Sequence, residues 1–331
     1  MTNWNDVARE LNETKTPDGK PDLDRVRRSK MRAVSEYTGR PLIVYASDFL
    51  GKGREAADLS INFNDKDGFS EVASTLSSEE VDVLIHSPGG SAEATESIVR
   101  LLRSQFKHVR FIVPQIAKSA ATMLVLSGDE ILMDTGAELG PIDPQFNLPR
   151  GDGATIVAPA QAILDQHEEI VKRIKADPRL LPAYIPILQF FAPSLEMQAR
   201  NAIDLSKSLV REWLKAHMFR ERKARDRIRL ASGVARYLGS HNKFKSHAKG
   251  IYLDDFRKVK QLKAVKVLDL GEEPGLQSLI RGLHHAIGLT FGMSTAIKIF
   301  ENSEGRAMIR HVRQMQIQIP AGIQQLPTPE R

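Results

Sequence analysis

The sequence predicts an α/β protein with a mostly parallel sheet covered by helices on both faces, followed by a helical C-terminal extension. Three observations carry this. Short β-branched runs alternate with helical periodicity from Val81 to Met133, and such alternation needs crossover connections between parallel strands. After Pro144 the strand-like runs give way to long amphipathic stretches. The composition, 41% hydrophobic and 27% charged over 331 residues, is that of a soluble globular chain long enough for a sizeable core.

The elements follow in order. Residues 1–34 form a polar N-terminal arm, helical or loose, with a turn at Thr16-Pro17-Asp18-Gly19 and a basic run from Arg25 to Lys30. Arg40-Pro41 introduces Leu42-Ile43-Val44-Tyr45, a buried strand. Asp67 to Ser78 has Phe69, Val72 and Leu76 on one helical face. Val81 to His86 reads as a strand and is broken by Ser87-Pro88-Gly89-Gly90; Ala92 to Phe106 follows as a helix. Val109 to Val113 is a strand, Ala117 to Ser127 a helix of small apolar residues, and Glu130 to Met133 a third strand of the run. Pro149 to Gly153 reads as a loop, and Ala160 to Lys175, Leu195 to Phe219 and Ala224 to Leu238 as helices of a subregion near 160–240. A short strand near Ala264 to Leu268 and a helix from Leu276 to Gly288 complete a domain expected over 35–290. Residues 291–331, with Pro320, Pro327 and Pro329, read as a loose tail.

Several classes are excluded. No run approaches the ~18 apolar residues of a membrane-spanning helix, and the polar start lacks a secretory core. With no cysteine there is no disulfide framework, thiolate nucleophile or cysteine zinc site. A cytoplasmic protein, or one peripheral to a membrane, is the expectation. The net charge of +6 does not by itself indicate a nucleic-acid partner.

Two loops carry the chemistry. Ser87-Pro88-Gly89-Gly90-Ser91 turns from strand to helix; glycines permit a sharp turn and close approach, and amides at a helix start can stabilise an oxyanion. Ala117-Lys118-Ser119-Ala120-Ala121-Thr122 places a serine where it is either an ordinary N-cap or a nucleophile held near the first loop.

Taken together, HSPGGSAEATESIV, PQIAKSAATML, GDEILM and ELGPIDPQF, in that order, resemble the serine dehydrogenase proteinase (SDH) family of the Clp/crotonase superfamily, related to signal peptide peptidase A and the Clp-type serine proteases. TGRPLIVYASDF and LQSLIRGLHH extend the likeness over roughly residues 35–290. The resemblance implies a Clp/crotonase-like ββα spiral core, a serine endopeptidase-like hydrolase, and assembly into trimers or larger rings acting on a protein or peptide substrate without a cofactor. It makes Ser119 the nucleophile and Gly89, Gly90 and the Ala120 amide the oxyanion hole. Ala121 stands where relatives often have glycine, and Lys118 where they often have an apolar residue.

The base is less defined. Clp-type proteases carry a histidine where this chain has Ile142-Asp143-Pro144, whereas signal peptide peptidase A uses a downstream lysine. Lys172 and Lys175, 53 and 56 residues after Ser119, are the matching candidates; the other reading makes them solvated charges on an amphipathic helix. Asp143 either supports the site or shapes a rigid turn. His86 either points into the cleft or makes a structural hydrogen bond. His241, His247, His284 and His285 lie outside the motif block, and no metal-ligand pattern is present, so no metal is expected. Residues 207–249 hold 13 Lys/Arg against 3 Asp/Glu, which is either a solvated or subunit-contact face or a site for an anionic partner. The alternatives to a peptidase are a non-catalytic Clp-fold scaffold or nucleic-acid-binding assembly, and an acyl-CoA enzyme of the crotonase type, which the serine motif disfavours.

Overall fold

The computed structural model describes residues 2–53, 58–149, 152–189, 191 and 194–312. Two helices open the chain, α1 (Trp4–Glu13) and α2 (Leu23–Thr38). Asn3 and Asp6 cap α1 reciprocally, and α2 ends at Gly39, whose φ of 67° suits a residue without Cβ. The alternating run follows: β1 (Leu42–Ser47), α3 (Asp65–Ala73), β2 (Glu80–His86), α4 (Ala92–Gln105), β3 (His108–Val113), β4 (Ile116–Ala117), α5 (Ala120–Leu126), β5 (Glu130–Met133) and β6 (Glu138–Leu139). Then come the hairpin β7 (Gln145–Pro149) and β8 (Thr155–Pro159), the helices α6 (Ala160–Ala176), α7 (Leu181–Leu188), α8 (Leu195–Ala216) and α9 (Ala224–Leu238), and the short α10 (His241–Phe244) and α11 (Leu253–Lys258). Strand β9 (Val267–Asp269), helix α12 (Pro274–Met293) and strands β10 (Ala296–Asn302) and β11 (Ala307–His311) complete the chain.

The main sheet has the order β11-β10-β1-β2-β3-β5-β9. Strands β1, β2, β3, β5 and β9 run parallel, and β10 and β11 are added antiparallel at the β1 edge. Side chains alternate between the faces. Ile43, Val83, Ile85 and Phe111 pack with Phe69 of α3, Ile98 of α4, Val210 of α8 and Val234 of α9. On the other face Leu42, Val44, Leu84 and Ile112 meet Met31 and Val34 of α2 and Ile280 and Leu283 of α12. Two shorter sheets, β4–β6 parallel and β7–β8 antiparallel, stand beside the main one.

The structure corrects three readings, the tail, the start of α5 and the end of α3. Residues 296–311 are strands of the main sheet and not tail; Pro320, Pro327 and Pro329 lie outside the described residues. Helix α5 begins at Ala120, because Ile116 and Ala117 pair with Glu138 and Leu139. The loop expected over Pro149 to Gly153 falls between β7 and β8, and α3 stops at Ala73, short of the expected Ser78. The arm is helical and docked: Val7, Leu11 and Val26 pack against Ala286 and Leu289 of α12.

Charge is buried where the added hairpin meets β1. The Lys298 ammonium lies 2.9 Å from Asp65 and donates to the Ser60 carbonyl, and the Tyr45 hydroxyl donates to Asp65. Arg27, fully buried, pairs with Glu301. Each buried cation has its anion, as desolvation demands.

Candidate active site

Both loops lie at the C-terminal ends of parallel strands, where open α/β sheets leave room for ligands. They are hydrogen-bonded to each other: the Ser87 amide donates to the Ile116 carbonyl and the Lys118 amide to the Ser87 carbonyl. A third segment clamps the glycines, with the Ile61 amide donating to the Gly89 carbonyl at 2.7 Å and the Ser91 amide to the Ile61 carbonyl at 2.9 Å. Ser91 then caps α4 through its hydroxyl, which accepts from the Ala94 amide.

Ser119 occupies the N-cap position of α5, yet its side chain makes no capping hydrogen bond. Its backbone has φ 52° and ψ −122°, outside the regions a serine ordinarily adopts. Such strain costs about 1–3 kcal/mol and persists only where the surroundings enforce it. They do: all seven residues of α5 are buried, and Thr122 donates to the Ala117 carbonyl while accepting the Gly140 amide. A strained serine at a strand-to-helix turn is the geometry of an exposed nucleophile.

Gly89 has φ +96°, and a Cβ there would stand 2.5 Å from the Lys118 carbonyl oxygen and 2.7 Å from the Ser119 Cβ. The glycine loop is therefore pressed directly onto the serine turn. Its amides have different duties. The Gly89 N–H donates to the Ser87 hydroxyl at 3.2 Å. Among the described residues, neither the Gly90 nor the Ala120 N–H meets an acceptor in the chain. Of the three residues expected to form the oxyanion hole, Gly89 therefore has its N–H engaged, whereas Gly90 and Ala120 do not.

Ser119, Gly89, Gly90 and Ala120 line one cleft of ≈ 520 Å³. Ile61, Met123, Ile142, Phe146 and Leu205 give it apolar walls, and His247 also lines it. In the sequence His247 lies outside the motif block. Asp143 brings it in. That carboxylate, 2% exposed, accepts from His247 Nδ1 at 2.8 Å and from His241 Nδ1 at 2.9 Å, and Gln145 Nε2 donates to it as well. The His247 loop is held independently by the reciprocal Leu139–Ile251 backbone bonds and by Lys118, whose ammonium donates to the Leu139 and Ala248 carbonyls and pairs with Glu138. Only the turn signal around Asp143 hinted at this cluster; the histidines are separated from it by 98 and 104 residues.

The remaining candidates lie elsewhere. Lys172 and Lys175 are exposed on α6, and neither lines the cleft. The reason is amphipathic: α6 buries Ile163, Leu164 and Ile170 and leaves its charges to solvent. His86 is buried on the α12 side of the sheet, against Phe49 and His284. It lines a second cavity of ≈ 750 Å³ together with His284 and His285. Burial lowers the His86 pKa to about 3, helped by His284, and burial lowers that of His284 to about 4. Among the described residues no group of three or more His, Asp or Glu side chains is placed to hold a metal. In the basic segment, Arg220 pairs with Asp129, Lys215 and Arg211 with Glu212, and Arg229 with Asp226.

Residues 63–178 match the family model described as ClpP-like SDH-type serine proteinase, and within them the chain resembles that family. The matched stretch contains both loops and Asp143; His241 and His247 lie beyond it. Two uncharacterized proteins of Methanocaldococcus jannaschii, MJ0137 and MJ1495, are 43% and 42% identical over 66 residues, 20% of this chain and 23% of each relative. The match thus spans less than a quarter of the length of these curated relatives. Two solved structures of the membrane-bound stomatin-specific protease 1510-N are also similar. A serine-to-alanine mutant has a TM-score of 0.37 and 16% identity, covering 66% of this chain and 79% of that one. A lysine-to-alanine mutant with a substrate peptide has a TM-score of 0.30 and 18% identity, covering 63% and 86%. Among the described residues no helix is long and apolar enough to cross a membrane.

Proposed function

We propose that the protein is a serine peptidase-like hydrolase with Ser119 as its nucleophile. The observation that carries this is the strained Ser119 backbone, with the side chain released from capping and two free amides beside it. Ser119 Oγ attacks the carbonyl carbon of a peptide bond. The carbonyl electron pair moves to oxygen, and the resulting oxyanion accepts from the Gly90 and Ala120 amides. Donors fixed in place before charge develops are worth about 10²–10³-fold in rate each. The C–N bond then breaks, the amine leaves with a proton, and water hydrolyses the acyl-enzyme. The cleft's apolar walls fit an extended substrate segment with apolar side chains.

The SDH-type family match supports the same reading. Assembly into trimers or larger rings, which the resemblance implies, belongs to it and is read from the mass in solution. The test is digestion of an unfolded protein by the purified chain. Cleavage that disappears in Ser119→Ala supports the proposal, and equal cleavage by Ser119→Ala refutes it.

A further inference from the structure

We infer that the buried trio Lys298, Asp65 and Tyr45 is a positioning group for the oxyanion hole, setting the aim of the Gly90 amide from behind the glycine loop. The inference rests on Ser119 being the nucleophile. It gives a part in the reaction to the antiparallel strand β10, which lies beyond the residues that match the family model.

The direction of the Gly90 N–H is decided by the carbonyl before it. A trans peptide is planar, so the Gly89 carbonyl and the Gly90 N–H point opposite ways across one rigid unit. The Gly89 carbonyl accepts from the Ile61 amide at 2.7 Å, and the Ser91 amide donates to the Ile61 carbonyl at 2.9 Å. Both neighbours of Gly90 are thus bonded to Ile61, and the Gly90 N–H is turned to the other side, where among the described residues it meets no acceptor. The fit leaves no slack: a Cβ on Gly90 would stand 2.3 Å from the Ile61 carbonyl oxygen. A shift of Ile61 is therefore a shift of that donor.

Ile61 lies in the connection between β1 and α3, where neither helix nor sheet holds it beyond its single bridge to Gly90. The buried ion pair grips the peptides on both sides of it. The Lys298 ammonium donates to the Ser60 carbonyl at 2.8 Å and to the two Asp65 oxygens at 2.9 and 3.0 Å, so its three hydrogens have three acceptors. Asp65 in turn accepts from the Asn62 amide at 3.3 Å.

A second arm reaches the glycine loop through Tyr45. Its hydroxyl donates to Asp65 at 2.9 Å. Tyr45 pairs with Ile85 of β2, and Ser87, two residues further on, presents its hydroxyl to the same phenol oxygen. The Ser87 oxygen accepts the Gly89 N–H. The Gly89 residue is thus held at its carbonyl through Ile61 and at its N–H through Ser87, and both arms end on Asp65. Lys298, Asp65, Tyr45 and Ser87 are all fully buried. A buried ion pair gains little stability over apolar packing, because desolvation offsets the attraction; what this one supplies is direction.

The experiment is fluorophosphonate labelling of the full chain against probe concentration, which separates the maximal rate from the half-saturating concentration, at a temperature where each variant is folded. An oxyanion donor acts in the transition state, so its misplacement lowers the maximal rate and leaves the half-saturating concentration unchanged. Lys298→Met should lower the maximal rate by about 10²-fold, the cost of a displacement of about 1 Å at a reacting centre. Tyr45→Phe, which removes one hydroxyl and keeps the ring against Phe69 and Phe300, should lower it by about 10-fold. Amide hydrogen exchange should quicken at Ile61 and Ser91 in both. Glu301→Gln is the control for lost stability: it weakens the buried pair with Arg27 on the opposite face of β10 and should label at the wild-type rate. Folded Lys298→Met and Tyr45→Phe that keep the wild-type maximal rate overturn the positioning role and leave Ser119 standing. An equal loss in Glu301→Gln, or a change confined to the half-saturating concentration, overturns it too. Where Lys298→Met does not fold, Tyr45→Phe decides alone. A wild type that does not label on Ser119 removes the nucleophile and this role together.

Discussion

Gly89→Ala is the sharpest perturbation of the loop pair. At φ +96° any side chain is strained, by about 1–3 kcal/mol. The new Cβ would also lie 2.5 Å from the Lys118 carbonyl oxygen, 2.7 Å from the Ser119 Cβ and 2.9 Å from the Ala120 nitrogen. Two of those atoms are backbone, so no rotamer change relieves the clash, and overpacking of this kind adds about 1–3 kcal/mol. The chain relaxes by separating the two loops, which carries the Gly90 amide away from Ser119. A displacement of about 1 Å at a reacting centre costs on the order of 10²-fold in rate. Gly89→Ala should therefore lower the urea midpoint and reduce fluorophosphonate labelling by about 10²-fold or more. Gly136→Ala is the control: nothing lies within 4 Å of its would-be Cβ, and both readings should match wild type. A folded Gly89→Ala that labels at the wild-type rate would refute the argument that the glycine loop is fitted to the serine.

Three further outcomes are expected. Lys298→Met strands the buried Asp65 carboxylate beneath the Ser60–Ile61 segment and should cost about 3–5 kcal/mol in denaturant unfolding, since removing one partner leaves an uncompensated charge; a midpoint equal to wild type would contradict it. The depressed pKa values of His86 and His284 make the folded chain bind fewer protons than the unfolded one below their ordinary value near 6.5. Stability should thus fall as pH drops from 6.5 towards 4, by about 2 kcal/mol per histidine at pH 5, and His86→Gln should flatten the slope of melting temperature against pH. Lys172→Ala and Lys175→Ala, on the solvent face of α6 and outside the cleft lining, should label within about twofold of wild type; a large loss in either would make that lysine part of the site.

How much of this was legible in the sequence follows the range of the forces involved. The β2–α4 and β3–α5 units were readable because strand runs, glycine breaks and helical periodicity are local signals. So was the pairing of the glycine loop with Ser119, through motifs in a fixed order. The β10–β11 hairpin was missed because it pairs with β1 across more than 250 residues. The Asp143–His247 contact was not legible for the same reason: the two residues are 104 apart and meet only because the loop before α11 docks onto β6 through Leu139 and Ile251. That the Ser87 hydroxyl takes the Gly89 N–H, while the Gly90 N–H meets no acceptor among the described residues, was not legible either. Neither spacing nor composition encodes which amide stays free.

The most direct test of the central claim is to locate a covalent fluorophosphonate adduct by mass spectrometry of the proteolysed full chain. The account predicts a single adduct on Ser119, abolished in Ser119→Ala. An adduct on another serine, such as Ser91 at the mouth of the same cleft, or no adduct on a folded chain, would contradict it.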